Sequence, residues 1–229
     1  MGSIPTPGTN KINGLGYPLS LPWNSYGGNV LKDIYMESPY EHIVNPRFTD
    51  FRLAVEENDV SIQEIYSQLT RDGKRNDMIF NDLLASLERK SSPLLLTERT
   101  EHVEYLAGRL EKFARNVIAM RGGLGKRQRA EIAERIAAIP EGEERVLIAT
   151  GRYIGEGFDD ARLDTLFLAL PISWKGTLQQ YAGRLHRIYD RKKIVMIYDY
   201  IDSNVPVLMR MYQKRLKGYQ AMGYVVKSS

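Results

Sequence analysis

The chain has 229 residues, 43% hydrophobic and 26% charged, with 32 Lys and Arg against 28 Asp and Glu for a formal charge of +4. That is the make-up of an ordinary globular protein, long enough for one large domain or a domain with an appendage. With no Cys and three scattered His (His42, His102, His186), the sequence excludes disulfides, thiolate catalysis and Cys-ligated zinc, and it speaks against a His-based metal site.

The first 31 residues carry four Pro, six Gly, one Lys and no acid, a composition that cannot build a continuous apolar face. Residues 1–41 are therefore read as an irregular linker and 42–229 as the domain, with Trp23, Leu19 and Leu21 able to lie across a neighbouring surface. No basic-then-apolar leader opens the sequence, so export is not expected and a cytoplasmic setting is. No stretch of ~18 apolar residues is present to span a membrane.

From His42 the pattern becomes regular. A strand is predicted within His42 to Leu53. Ser61 and Glu64 have the spacing of a capping box, followed by Ile62, Ile65, Tyr66 and Leu69 at helical intervals. A second helix after Asp72-Gly73 buries Ile79, Leu83, Leu84 and Leu87. Strand and helix then alternate: a strand at Pro93–Thr97, a helix marked by Val103, Leu106, Leu110 and Phe113, and a strand at Asn116–Met120. A helix at Lys126–Ala138 follows, with Ala130, Ala133, Ile136 and Ala137 inward. Strands at Arg145–Thr150 and Leu166–Leu170, a helix at Thr177–Tyr189 and a strand at Ile194–Tyr200 complete the series. A terminal helix after Val205 sets Arg210, Lys214 and Lys217 on one side. This alternation predicts an α/β, three-layer domain on a mostly parallel sheet.

Open α/β sheets bind ligands at the carboxyl ends of their strands. The segments there are Glu98-Arg-Thr100, Arg121-Gly-Gly-Leu-Gly-Lys-Arg-Gln-Arg129 and Gly151-Arg-Tyr-Ile-Gly-Glu-Gly-Phe-Asp-Asp160. Neither glycine-rich stretch is a nucleotide loop. Gly155-Glu-Gly157 has Asp160 where the dinucleotide fingerprint needs its third Gly, and Gly122 to Lys126 lacks the first Gly and the Ser or Thr of a Walker loop. In Thr177–Arg187 the residues Leu178, Tyr181, Ala182 and Leu185 share one helical face. Gln180, Gly183, Arg184 and Arg187 fall opposite, within an arc of ~100°. A small residue beside two guanidinium groups and no acids suggests a closely approaching anion, the alternative being a solvated charged face.

Gln180-x-x-Gly183-Arg184-x-x-Arg187 resembles motif VI of the superfamily 2 helicases and translocases, the DEAD/DEAH-like group. Leu94-Leu-Leu-Thr97 is similar to motif IV. Gly122-Gly-Leu with Arg129 is similar to the family's His-Gly-x-Leu element, with Arg121 in place of His, and Ala149-Thr150 to Gly157-Phe-Asp159 is similar to a lengthened motif V. The wording of motifs V and VI is nearest to the helicase subunit of restriction and related defence systems. The resemblance implies a RecA-like fold and a partner, the N-terminal RecA-like lobe, which holds most of the ATP and Mg2+. It also implies that Arg184 and Arg187 reach the γ-phosphate as arginine fingers, and that Gly157, Asp159 and Gln180 contact the nucleotide. Thr97, Gly122, Gly123, Arg129, Thr150 and Gly151 would then grip the phosphates of a nucleic acid. DNA is favoured as that partner, although phosphate contacts carry no sugar code. By itself such a lobe is expected to lack ATPase activity, because the Walker A and B motifs are absent. Two rivals remain at this point. One is a non-catalytic nucleic-acid-binding or regulatory module on the same fold. The other is a self-contained enzyme acting on a phosphorylated small molecule, which would need a deep, closed pocket at the strand ends.

Overall fold

The computed structural model describes residues 40–54, 57–155, 158–172 and 177–228. The elements in chain order are β1 (Glu41–Phe48), α1 (Ile62–Arg71), α2 (Gly73–Glu88), β2 (Pro93–Thr97), α3 (Thr100–Leu110), β3 (Val117–Met120) and α4 (Lys126–Ala138). They continue with β4 (Val146–Thr150), α5 (Gly151–Gly155), β5 (Thr165–Leu168), α6 (Thr177–Leu185), β6 (Ile194–Ile201), α7 (Pro206–Ala221) and β7 (Val225–Val226). The strands form one sheet in the order β3-β4-β2-β5-β6-β1-β7, and every ladder among them is parallel.

Of the strands predicted from 93 onward, β2, β4, β5 and β6 sit in the middle of this sheet, where both faces are covered, and β3 forms one edge. Side chains alternate across a strand. Leu94 and Leu96 therefore join Leu147, Leu166 and Ile197 under α6 and α7 on one face. Leu95 joins Ile148, Phe167 and Tyr198 under α2 and α3 on the other. A smaller cluster of Phe51, Ile65, Leu69, Leu170 and Leu208 packs α1 against the start of α7. The helix starts follow the local sequence. The Ser61 side chain accepts the Glu64 amide at 3.2 Å and the Asp72 side chain accepts the Arg75 amide at 2.7 Å.

Three expectations need correction. In α4 only Ile136 of the four residues assigned inward is buried, while Ala130, Ala133 and Ala137 are exposed; the helix meets the sheet on a narrower stripe, with Ile132 partly buried beside it. The helix from Thr177 stops at Leu185 rather than reaching Tyr189. To continue, the Tyr189 N–H would have to bond the Leu185 carbonyl. Instead the Tyr189 N–H donates to the Tyr40 hydroxyl at 2.8 Å, and Lys192 Nζ donates to Leu185 O at 2.7 Å. Finally, residues 151–155, read only as motif loop, form the short helix α5. Among the described residues no helix is long and apolar enough to cross a membrane. Residues 1–39 of the expected linker lie outside the described residues.

Candidate functional site

Helix α6 buries Leu178, Tyr181, Ala182 and Leu185 in the sheet-facing cluster, as its periodicity predicts. Arg184 leaves the opposite side half-buried. Its guanidinium donates to the carbonyls of Phe158 and Ile154, the latter at 2.9 Å. Its Nε is buried without a hydrogen-bond partner. Burial pulls the Arg184 pKa below its ordinary value; Asp159 opposes that shift and Arg187 adds to it. Arg187 lies just beyond the helix end, and its Nη2 meets Asp159 Oδ2 at 3.2 Å, with the two side chains 32% and 47% exposed. The structure thus gathers Arg184, Arg187 and Asp159 at the surface beside the Ile154 and Phe158 carbonyls. Arg184 is held by two neutral carbonyls, and Arg187 by a half-exposed carboxylate. Gly157 lies outside the described residues, and so does the Gln180 side chain.

The other predicted group sits at the ends of two neighbouring central strands, where Thr97 of β2 is in register with Thr150 of β4. The Thr150 hydroxyl accepts the Gly122 amide at 2.8 Å, which ties the loop after β3 to the end of β4. Gly123, next in that loop, has φ +83°, a conformation glycine adopts freely. Arg129 donates to Leu124 O at 3.1 Å, and its guanidinium lies 5.3 Å from the Tyr153 ring centre. Gly151 backs onto the Tyr181 hydroxyl and the Glu98 carboxylate, which a Cβ there would strike at 2.3 and 2.6 Å.

Thr97 departs from the expectation. It is 1% exposed, and its hydroxyl sits 3.0 Å from His102 Nδ1. His102 Nε2 meets Asn76 Oδ1 at 2.9 Å, and the Asn76 amide nitrogen donates to Thr70 O. With Asn76 Oδ1 accepting, this network assigns the imidazole proton to Nε2, so Nδ1 accepts from Thr97. The Thr97 hydroxyl is therefore spent inside the fold. Burial, with a smaller push from Arg75, lowers the His102 pKa to about 3.

Some of what the strand ends present was missed in the sequence. An open groove of about 590 Å3 is lined by Gln63, Tyr66, Glu98, Arg99, Arg152 and Tyr181. Glu98 is an acid among expected anion-gripping groups, and burial pushes its pKa up. This groove is open rather than enclosed, unlike the deep pocket that a self-contained small-molecule enzyme needs. Buried ion pairs were also missed, Arg145 with Asp160 among them. Arg75 Nε meets Asp202 Oδ1 at 2.9 Å, and Arg215 grips both oxygens of Asp199 at 2.8 and 2.9 Å. The signal was present in Asp199 of β6 and Asp202 just after it, which interrupt an apolar run; buried carboxylates require partners.

The model of the helicase conserved C-terminal domain matches residues 74–189. A curated relative, "Putative helicase 161L" of Invertebrate iridescent virus 6, is 32% identical over 161 residues, 67% of this chain and 35% of that protein. Among solved structures, T4 UvsW superposes with a TM-score of 0.59 at 17% identity over 84% of this chain and 42% of that one. The yeast DEAD-box splicing factor Prp28 gives a TM-score of 0.54 at 14% identity over 84% and 36%. These two likenesses show the fold. The chain spans about a third of the curated relative's length and about two fifths of UvsW.

Proposed function

The chain belongs to the family of helicase conserved C-terminal domains, and we propose that its residues 42–229 serve as the second motor lobe of an ATP-dependent helicase or translocase. The observation that carries this reading is the pairing of Arg184 and Arg187 at one surface beside Asp159. The donor set fits a triphosphate seated on another lobe. Arg184 keeps a buried Nε without a partner, and its bonds to neutral carbonyls are weaker than the ion-paired, bidentate bonds a guanidinium makes to phosphate oxygens. ATP with Mg2+ supplies the transferable phosphoryl group. Among the described residues no cluster of His, Cys, Asp or Glu is suited to hold the metal, so the first lobe and the phosphates would bind it.

In this mechanism Arg184 exchanges the carbonyls of Ile154 and Phe158 for phosphate oxygens, and Arg187 exchanges Asp159. Their charge then stabilises the transferring phosphoryl group, a contribution of ~10³–10⁵ in rate where arginine fingers act. Asp159, released from Arg187, is free to accept from the nucleotide ribose. Because Ile154 lies in α5, and α5 directly follows Thr150, the exchange is linked to the loop tied by the Gly122–Thr150 bond. That loop, with Gly123, Gly151 and Arg129, would grip nucleic-acid phosphates, a contact that positions a strand without reading bases. Thr97 contributes through its place beside Thr150 rather than through its hydroxyl.

The test is steady-state hydrolysis in the protein that joins this chain to its first lobe. Arg184→Ala and Arg187→Ala are each expected to lower kcat by ~10³-fold or more. This chain alone should show no nucleic-acid-stimulated hydrolysis. Survival of hydrolysis in both variants would favour a non-catalytic nucleic-acid-binding module on the same fold.

A further inference from the structure

The helix end that carries the two arginines is fastened by groups outside every motif. Lys192, in the turn before β6, is buried. Its ammonium donates to Leu185 O at 2.7 Å and to Arg187 O at 2.9 Å. The first is one of the carbonyls that a helix leaves without an amide at its C-terminal end. The second belongs to the residue whose guanidinium meets Asp159. Tyr40 closes the other side: its hydroxyl accepts the Tyr189 amide at 2.8 Å, and its ring centre lies 5.4 Å from the Lys192 nitrogen.

This arrangement is costly. Burial lowers the Lys192 pKa to about 8, even though Asp164, Asp160 and Asp159 attract the charge. An apolar side chain would fill such a space at less cost in desolvation. What only a cation on a long stem supplies here is a simultaneous hold on two carbonyls, one at the helix terminus and one two residues beyond it, where the dipole also favours positive charge.

We propose that Lys192 is a positioning residue: by fixing the carbonyls of Leu185 and Arg187 it ends α6 where it does and sets how far the Arg184 and Arg187 guanidiniums reach toward a triphosphate. The inference rests on the reading of the two arginines given above.

Lys192→Met keeps the apolar stem and removes the ammonium. In the two-lobe protein it is expected to lower kcat by ~10- to 100-fold, the scale of a small misplacement of catalytic groups. ATP KM should stay within about twofold, and amide hydrogen exchange should accelerate across residues 186–189 but not in β6. A variant that merely melts earlier, with wild-type kcat per folded molecule, overturns the proposal, and so does unchanged exchange. Should Lys192→Met fail to fold, Tyr40→Phe removes only the hydroxyl that holds the Tyr189 amide; it is expected to move kcat and exchange in the same directions, and wild-type kcat there also overturns the proposal. The Arg184→Ala and Arg187→Ala variants separate the two levels. If they hydrolyse ATP at the wild-type rate, the parent reading fails and this one with it. If they lose activity while Lys192→Met and Tyr40→Phe keep it, the positioning role alone fails.

Discussion

At Gly151 the backbone passes so close to α6 that a single methyl group has no room. A Cβ there would lie 2.3 Å from the Tyr181 hydroxyl, 2.6 Å from a Glu98 oxygen and 3.3 Å from the Tyr181 ring. Gly151→Ala is therefore expected to destabilise the fold by about 1–3 kcal/mol, as overpacking does, read as a lowered urea midpoint at constant slope. In a Tyr181→Phe background the loss should shrink, because the nearest atom is gone; an unchanged loss would place the conflict elsewhere. Asp199 is a second residue whose neighbours decide its value. It accepts both nitrogens of Arg215 and the Tyr219 hydroxyl at 2.9 Å, with both members of the ion pair almost fully buried. Asp199→Ala strands a buried guanidinium and is expected to cost ~3–5 kcal/mol, or a fall in Tm of roughly 6–20 °C for a domain this size. A thermal melt checks it.

Helix α4 makes the case at the scale of an element. Its alanines share the spacing of an inward face, yet Ala130, Ala133 and Ala137 face an open groove beside Tyr153 and Phe158, while Ile136 is buried. Alanine has a single methyl group to bury, so its burial contributes little and its periodicity carries little information about which way a helix faces. The consequence is measurable. Ala133→Glu is expected to stay within about 0.5 kcal/mol of wild type, whereas Ile136→Ala should cost about 2–5 kcal/mol. Chemical denaturation of the two variants distinguishes this packing from the one the pattern predicts. Helix α6 shows the opposite case. Its inward residues were legible because they are large and apolar, but its end was not. The groups that stop it, Lys192 and Tyr40, come from segments after and far before it in the chain.

At the scale of the whole molecule, the three histidines behave alike. His102 has a pKa near 3, and burial also lowers His42 and His186, whose rings meet at a centroid distance of 4.3 Å. For His186 the neighbouring His42 and Lys192 add to the effect. A histidine depressed in the fold binds its proton more readily in the unfolded chain. Between the folded value and about 6.5 the unfolded state therefore holds more protons, and stability rises with pH. Stability is fully present above ~6.5 and lost as pH falls, by up to ~1.4 kcal/mol per pH unit for each such group. The urea midpoint is expected to drop between pH 7 and pH 5, before most carboxylates titrate. Replacing His102 with Gln should flatten part of that slope, whatever it does to the midpoint at pH 7. A pH-independent midpoint would contradict the burial of these rings.

The sequence by itself determined the layered α/β architecture and the order of its central elements. Short apolar runs separated by helical periods admit few packings other than a parallel sheet covered on both sides. It also marked the two arginines, because a glycine beside paired guanidiniums on an acid-free face conflicts with ordinary helix design. Only the tertiary structure decided that Thr97 turns inward to His102, that Arg184 rests on the carbonyls of Ile154 and Phe158, and that Lys192 and Tyr40 end the arginine helix. Each of these is a hydrogen bond between groups far apart in the chain or on different elements. Such bonds form only once apolar burial has fixed where the strands and helices lie, and hydrophobic spacing records that burial without recording which polar groups it brings face to face.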